Sequence, residues 1–294
     1  MHKLKFRYNT SGNWYKGNTH IHSTFSDGTK TIEELDEMYH AESYDFIYLT
    51  DHWHAPDFKN SDFKMKLLWL DGSEFDGRDE NGSLYHIVFL GNGVNLIKPM
   101  TIEQALAERR NKNALIVFAH PAWSGNSTED ALRYDFDAVE IYNNVSEEKN
   151  GKGYSQIHLE KMLLKNPKTL CIASDDAHMT ESAPFWNGGW IVTNLPELSE
   201  NEIAKALKTG NYYSSTGPEF YDIRYEKGLI KVRTSPVKNI RLVGPEYLCR
   251  LARSTEDSPL SSYSFEPEPE WPYSYLEIED FEGKKAWSNN LFIR

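Results

Sequence analysis

Residues 17–28 read GNTHIHSTFSDG, and the histidine pair at the centre of this stretch governs how the rest of the chain is read. His20 and His22 stand two apart, so in an extended segment they point to one side while Ile21 turns the other way, toward surrounding helices. Outward from this pair the same phase recurs. His52 ends YLTDHW, Glu74 ends LDGSE, His86 lies within LYHIVFLG, His120 ends the run in IVFAHPAW, and Asp176 and His178 end ASDDAH. From Met179 to Arg294 there is no histidine. Imidazole and carboxylate are the ligand types suited to Zn, Mn or Fe, and gathering them at successive strand ends is what a polynuclear metal centre requires.

Strands are expected at GNTHIHS, DFIYLT, KLLWLDGSE, SLYHIVFLG, ALIVFAH, FDAVEIY, TLCIAS and GGWIVTN, several of them nearly continuous apolar runs of the kind buried on both faces of a parallel sheet. The helices between them are announced by their caps. Thr31–Glu34, Thr101–Gln104 and Ser199–Glu202 read as capping boxes, and Gly210 as the stop for the third helix. Such β–α alternation, from about Asn18 to Thr193, closes into a barrel or winds into an open sheet. All the residues singled out, except His86, lie at or just past a strand's C-terminal end, the catalytic rim of α/β barrels, so a barrel is expected.

After Pro218 polar and apolar residues alternate, with turns expected at Lys227-Gly228 and Glu282-Gly283. Between them ARSTEDSPLSSYSFEPEPEWPYSY reads as a long surface loop. Two domains are therefore expected, a barrel over residues 1–218 and a small β-sandwich-like appendage over 219–294.

A formal net charge of −12 argues against binding long nucleic acids through a basic face. No apolar stretch approaches the ~20 residues of a membrane span, and MHKLKFRYNT lacks the apolar core of a signal peptide, so a cytoplasmic location is expected. Cys171 and Cys249 form neither a CxxC pair nor a disulfide framework, and Cys171 in TLCIAS reads as a buried small hydrophobe.

Taken singly, each candidate has an ordinary reading: a core histidine on a strand, Asp51 capping a turn, Asp175 and Asp176 holding a loop. Structural roles give no reason for eight metal-competent residues to recur at the same end of successive β–α units. GNTHIHSTFSDG, YLTDHW, the Glu of GSE, the strand histidine His86, AHP and SDDAH, in that order, resemble the PHP (polymerase and histidinol phosphatase) superfamily over roughly Gly17 to Gly217. GNTHIHSTFSDGTKTIEEL, NYYSSTGPEF and the β appendage look most like its CehA/McbA-type metallohydrolase branch. The resemblance implies a distorted seven-stranded, TIM-like α/β barrel holding two to three divalent metal ions, Mn, Fe or Zn. It implies that His20, His22 and Asp176 bind one ion, that Glu74 bridges it to a second completed by His86 and His120, and that His52 and His178 bind a third. Asp27 stands where some members carry a further histidine ligand.

Two cations ~3.5–4 Å apart lower the pKa of a shared water and stabilise charge developing on phosphoryl oxygens. Glu74, His178, His52 and Asp176 are the expected catalytic group, with Asp51, Asp175 and Glu140 as candidates to orient imidazoles. His54, Asn143, Ser214 and Gly217 are candidate substrate contacts. No arginine stands beside the metal motifs to clamp a phosphate, since Arg78 and Arg133 fall in ordinary polar loops. The expected activity is hydrolysis of a small nucleotide- or sugar-phosphate-like phosphoester. The same ligands would serve an ester, amide or carbamate hydrolase. A non-catalytic metal-containing binding module is the reading from another class, and the completeness of the ligand set argues against it.

Overall fold

The computed structural model describes residues 5–54, 64–91, 96–112, 114–255 and 258–293. In chain order the first part forms β1 (Lys5–Phe6), β2 (Asn13–Asn18), α1 (Ile32–Ala41), β3 (Phe46–Leu49), β4 (Leu68–Arg78), β5 (Leu84–Leu90), α2 (Ile102–Lys112) and β6 (Leu115–Phe118). There follow α3 (Pro121–Ser124), α4 (Thr128–Arg133), β7 (Ala138–Asn143), α5 (Asn144–Asn150), α6 (Gln156–Lys165), β8 (Leu170–Ser174), β9 (Trp190–Leu195), α7 (Glu200–Thr209) and β10 (Tyr212–Ser215). The remainder is strand: β11 (Phe220–Glu226), β12 (Leu229–Val237), β13 (Asn239–Val243), β14 (Cys249–Arg253), β15 (Leu260–Phe265), β16 (Tyr275–Glu279), β17 (Lys285–Ser288) and β18 (Phe292–Ile293).

The helix boundaries follow local chemistry. Thr31 accepts from the Glu34 amide while Glu34 reaches back to the Thr31 amide at 2.9 Å, satisfying two donors that the first turn of α1 would leave open. Thr101 and Gln104 do the same for α2. Ser199 caps α7, and Gly210, with φ +73°, ends it in the left-handed region that glycine adopts without strain.

Thirteen strands make one sheet in the order β14-β13-β16-β17-β10-β9-β2-β3-β4-β5-β6-β7-β8. The expected closed seven-stranded barrel is not formed. Neighbours β2–β3–β4 and β6–β7–β8 are parallel, but β5 runs antiparallel to both β4 and β6. The cause is a tight turn at Asp79–Ser83, where a parallel partner would need a long crossover. At the other flank β9 pairs with β2 and occupies the edge that β8 would need to close the ring. The two ends meet only past their strands: His22 N donates to Ala177 O at 3.0 Å and Asp176 N to His20 O at 2.9 Å.

Alternation sorts the side chains onto two faces. Phe46, Tyr48, Leu70, Val88, Leu90, Val117 and Ile172 share one core with Ile203 and Leu207 of α7. Phe75, Tyr85, Ile87, Phe89 and Ile116 face the opposite way, against Ile102 and Ala105 of α2. Ile21, as expected from the HxH spacing, packs with Ile32, Leu35 and Tyr39 of α1. Glu74 and His86 fall in phase with Leu70, Val88 and Leu90, so they top the first of these cores.

Through the β10–β17 ladder the sheet continues into β16, β13 and β14. A three-stranded sheet, β11-β12-β15, packs over this continuation, with Ile223, Ile230 and Val232 against Ile240, Leu276 and Ile278. The expected turns occur, Lys227 and Gly228 at φ 52° and 80°, and Gly283 at φ 85°. The segment read as a long surface loop contains β15, paired with β12. Its four central residues, Ser261 to Ser264, are exposed, so this edge strand carries no apolar alternation to mark it. Among the described residues no helix is long and apolar enough to cross a membrane.

Gly17 lies beside Phe46 where β2 and β3 pair, and a Cβ there would stand 2.2 Å from the Phe46 ring. Gly17→Ala is expected to destabilise the fold by about 1–3 kcal/mol through overpacking, read as a lowered midpoint of thermal denaturation. An unchanged midpoint would show that the Phe46 ring yields freely.

Candidate metal centre

Every histidine of the strand-end series arrives at one point. His20 and His22 follow β2, His52 follows β3, Glu74 and His86 face each other across the β4–β5 hairpin, His120 follows β6, and Asp176 and His178 follow β8. Glu74 lies inside β4 and not at its end, because the strand runs on into the antiparallel hairpin.

The innermost set is His20, His22, Glu74 and Asp176, all buried. The Nε2 atoms of both histidines lie 3.1–3.2 Å from Glu74 Oε2 and Asp176 Oδ1. All four atoms are buried with no hydrogen-bond partner among the described residues. Four orphaned polar atoms converging in a core would be costly unless a cation satisfies them. Their spacing is near the ~3.3 Å edge of a tetrahedron with ~2 Å bonds to nitrogen and oxygen. The residues present therefore fit a divalent ion.

On the other oxygen of the same carboxylate, Glu74 Oε1 lies 2.8 Å from His86 Nδ1 and 3.4 Å from His120 Nε2. Toward solvent, His22, Asp27, His52 and His178 form a third group, with His178 Nε2 at 3.3 Å and His52 Nε2 at 3.9 Å from Asp27 Oδ2. The structure thus brings together all nine residues expected as ligands. His52 stands closer to the centre than expected, 3.4 Å from Glu74 Oε2, and groups with His86 as well as with His178.

Of the three acids considered as orienting groups, one touches an imidazole. Glu140 accepts from His20 Nδ1 at 2.7 Å and also from Ser174 Oγ, the His120 amide and Asn143 Nδ2. This saturated carboxylate fixes the tautomer that leaves His20 Nε2 bare. Asp51 instead holds the loop after the HxH pair, accepting from Ser23 N, Ser23 Oγ and Ser26 Oγ. Asp175 takes five donors, from Asn18, Tyr39 and the amides of Asn187, Gly188 and Gly189, and anchors the loop before β9. Asp76, not singled out from the sequence, lies 3.3 Å from His52 Nδ1 and accepts from Trp53 Nε1. Its signal was available: two residues beyond Glu74, it shares that face of the strand.

The candidate substrate contacts scatter. His54 is exposed against the Phe25 ring at the rim. Asn143 is buried and engaged by Glu140, Asp176 and its own helix cap. Ser214 donates to Cys171 O and accepts from the Ala173 amide, and Gly217 lies against Lys284. Neither bonds to the cluster among the described residues. A cleft of about 530 Å³ opens over the outer histidines, lined by Asp27, His52, Trp53, Asp76, His86 and Lys98 among others. Arg78 and Arg133 are engaged elsewhere, by Gly82 O and by Asp79 and Asp130.

The electrostatics are those of a site that wants cations. Burial alone would raise the pKa of Glu74, but His20, His52 and His86 hold it well below the usual carboxylate range. Burial opposes charge on His52, yet Glu74, Asp76 and Asp27 outweigh it and push its pKa up to about 9. His20, His120 and His178 are raised by the same balance. In the protein chain alone, protons supply the neutralising charge that divalent ions would otherwise bring.

No protein-family model matches the sequence, and no curated protein matches it. Solved structures do. A two-domain protein from Bacteroides vulgatus containing a predicted PHP-like metal-dependent phosphoesterase superposes with a TM-score of 0.55 at 14% identity, covering 99% of this chain and 98% of that one. A candidate metal-dependent phosphoesterase from Bifidobacterium adolescentis covers 66% of this chain and 96% of its own, at 14% identity and a TM-score of 0.47. An amidohydrolase from Chromobacterium violaceum, with bound sulfate and no metal, covers 65% and 96%, at 14% identity and a TM-score of 0.44. The likeness to the Bacteroides protein establishes a shared fold along essentially the whole chain.

If Asp76 orients His52, Asp76→Asn should weaken binding of the outermost ion about 10–100-fold, measured by competition with a chromophoric chelator, while the inner ions are retained. Equal affinities in the two proteins would make the Asp76–His52 contact incidental.

Proposed function

We propose that this protein is a metal-dependent hydrolase of the PHP superfamily, in its CehA/McbA-like branch, acting on a small phosphoester. The observation that carries the reading is the convergence of buried ligand atoms on the two sides of the Glu74 carboxylate, those on the Oε2 side without a hydrogen-bond partner among the described residues and those on the Oε1 side led by His86 Nδ1 at 2.8 Å. The fold shared with a protein containing a predicted PHP-like metal-dependent phosphoesterase supports it. We assign the chemistry to residues 1–218 and read residues 219–294 as a β appendage to that body.

Two or three bound divalent ions, Mn, Fe or Zn, would lower the pKa of a water and neutralise charge on the phosphoryl oxygens. The chain's own residues do the rest. Glu74 spans two ligand positions through its two oxygens, and Asp176 completes the inner one beside His20 and His22. Glu140 holds His20 in register, and Asp76 stands 3.3 Å from His52 Nδ1. His52 and His178, with side chains 19% and 20% exposed, are the ligands that face the cleft. His178 Nε2, held toward Asp27 Oδ2, is placed to steady or protonate a leaving oxygen when the outer position is empty. Among the described residues the cleft brings Lys98 to a phosphoester, its Nζ 5.0 Å from the Trp53 ring centroid.

Three measurements test this. Purified protein should carry two to three equivalents of Mn, Fe or Zn by inductively coupled plasma mass spectrometry, and fewer in His22→Ala; a wild type that stays metal-free after reconstitution would defeat the proposal. Glu74→Gln should lose more activity than the ~10–100-fold typical of outer-shell changes while its circular dichroism is retained, and near-normal turnover would rule out the bridging role. Aryl phosphates should turn over and aryl acetates and carbamates should not. The reverse preference would keep the metal site and reassign the bond to a carbonyl ester or amide.

A further inference from the structure

At the opposite end of the sheet from the histidines lies a groove of about 900 Å³, between the N-terminal segment, the end of β9 and α7. β2 starts in its wall at Asn13 and leads to His20, so the two sites are roughly 20 Å apart along an extended chain. In a chain of net charge −12 the groove is basic. Among the described residues Lys5, Arg7, Lys168, Lys205 and Lys208 line it with one acid, Glu202, which pairs with Lys205 at 3.2 Å.

Arg7 is the unusual member. It is 9% exposed, and while its Nη1 donates to Thr209 O at 3.1 Å, Nε and Nη2 have no partner among the described residues. Burial lowers its pKa, and the titratable groups beside it, Tyr8, Tyr212 and Cys171, are not carboxylates. Gly210 makes room for it, since a Cβ there would stand 2.1 Å from Nη1. The carbonyl end of α7 offers a partial negative charge, but a buried guanidinium with two unbonded donors is costly unless an anion compensates it.

We propose that this groove binds a small organic phosphate carrying two or more negative charges, held by Lys168 and Lys208 with Arg7 beneath them and the Lys205–Glu202 pair beside them. Lysines act on phosphate as mobile point charges, and the volume lies in the ~300–1,000 Å³ range of small-molecule sites. The non-polar side chains of Phe6 and Pro196 give the organic part of such a ligand a surface to lie on. This site is separate from the histidine cluster and does not depend on the activity proposed above.

The test uses fructose 1,6-bisphosphate as the probe, a weak metal chelator, with thermal denaturation of the purified protein as the readout. Arg7 is buried, so its substitution could simply unfold the chain; Lys168 and Lys208 are exposed and carry the test. Millimolar probe should raise the melting midpoint by about 2–4 °C in the wild type and equally in His178→Ala. The rise should vanish in the double variant Lys168→Glu/Lys208→Glu, compared with its own ligand-free midpoint. No rise in the wild type overturns the proposal. So does a rise that survives charge reversal or disappears in His178→Ala, since the anion then sits elsewhere.

Discussion

The carboxylate of Glu74 is 1% exposed and is approached by five imidazoles, those of His20, His22 and His52 at Oε2 and those of His86 and His120 at Oε1. A carboxylate so deep in a protein is tolerated only when positive charge or donors surround it. Glu74 sits in the middle of β4, and its partners come from the ends of β2, β3 and β6 and from β5. Satisfying this one acid therefore requires those strands to lie side by side with their ends level. The demands of the site and the arrangement of the sheet are one constraint.

Much of this was legible in the sequence because the signals are local. Helix caps are complete within four residues, so α1, α2 and α7 begin where Thr31, Thr101 and Ser199 place them, the first two with both halves of the box and α7 with the Ser199 half alone. The HxH pair needs only period-two alternation to put both imidazoles on one side, and Ile21 packs with α1 as that alternation demands. What could not be read depends on pairing between distant segments. Nothing near β8 says that β9 has already taken the free edge of β2, and that occupancy is why the barrel stays open. LDGSE looks like a strand end, but the turn at Asp79–Ser83 carries the strand past Glu74, and the same extension brings Asp76 beside His52. Ser214 has the composition of an anion contact, yet its hydroxyl is engaged by the β8 backbone, a fact of tertiary packing alone.

The backbone around the cluster is held in conformations that non-glycine residues seldom adopt. His120 has φ 27°, Asp176 φ 58° and Trp53, next to His52, φ 57°. Left-handed geometry of this kind costs of order 1–3 kcal/mol at each residue and persists where the surroundings fix it. Here the fixing groups belong to the cluster itself: the His120 amide is bonded by Glu140, the Asp176 amide by His20 O and the Trp53 amide by Glu74 O. Hydrogen bonds among the candidate ligands and the residues beside them thus hold the turns that aim the side chains.

The two backbone bonds joining the HxH segment to Ala177 and Asp176 have a bearing on time as well as space. His20 and Asp176, which share the inner position, are separated by more than half the chain. A loop of that length closes late, after the local hairpins and helices have formed. Until β8 is in place, the early histidines have Glu74 but lack the second inner carboxylate. The assembling polypeptide therefore lacks the complete pocket while it is still incomplete, and tight capture of metal marks the finishing of the fold, not its nucleation.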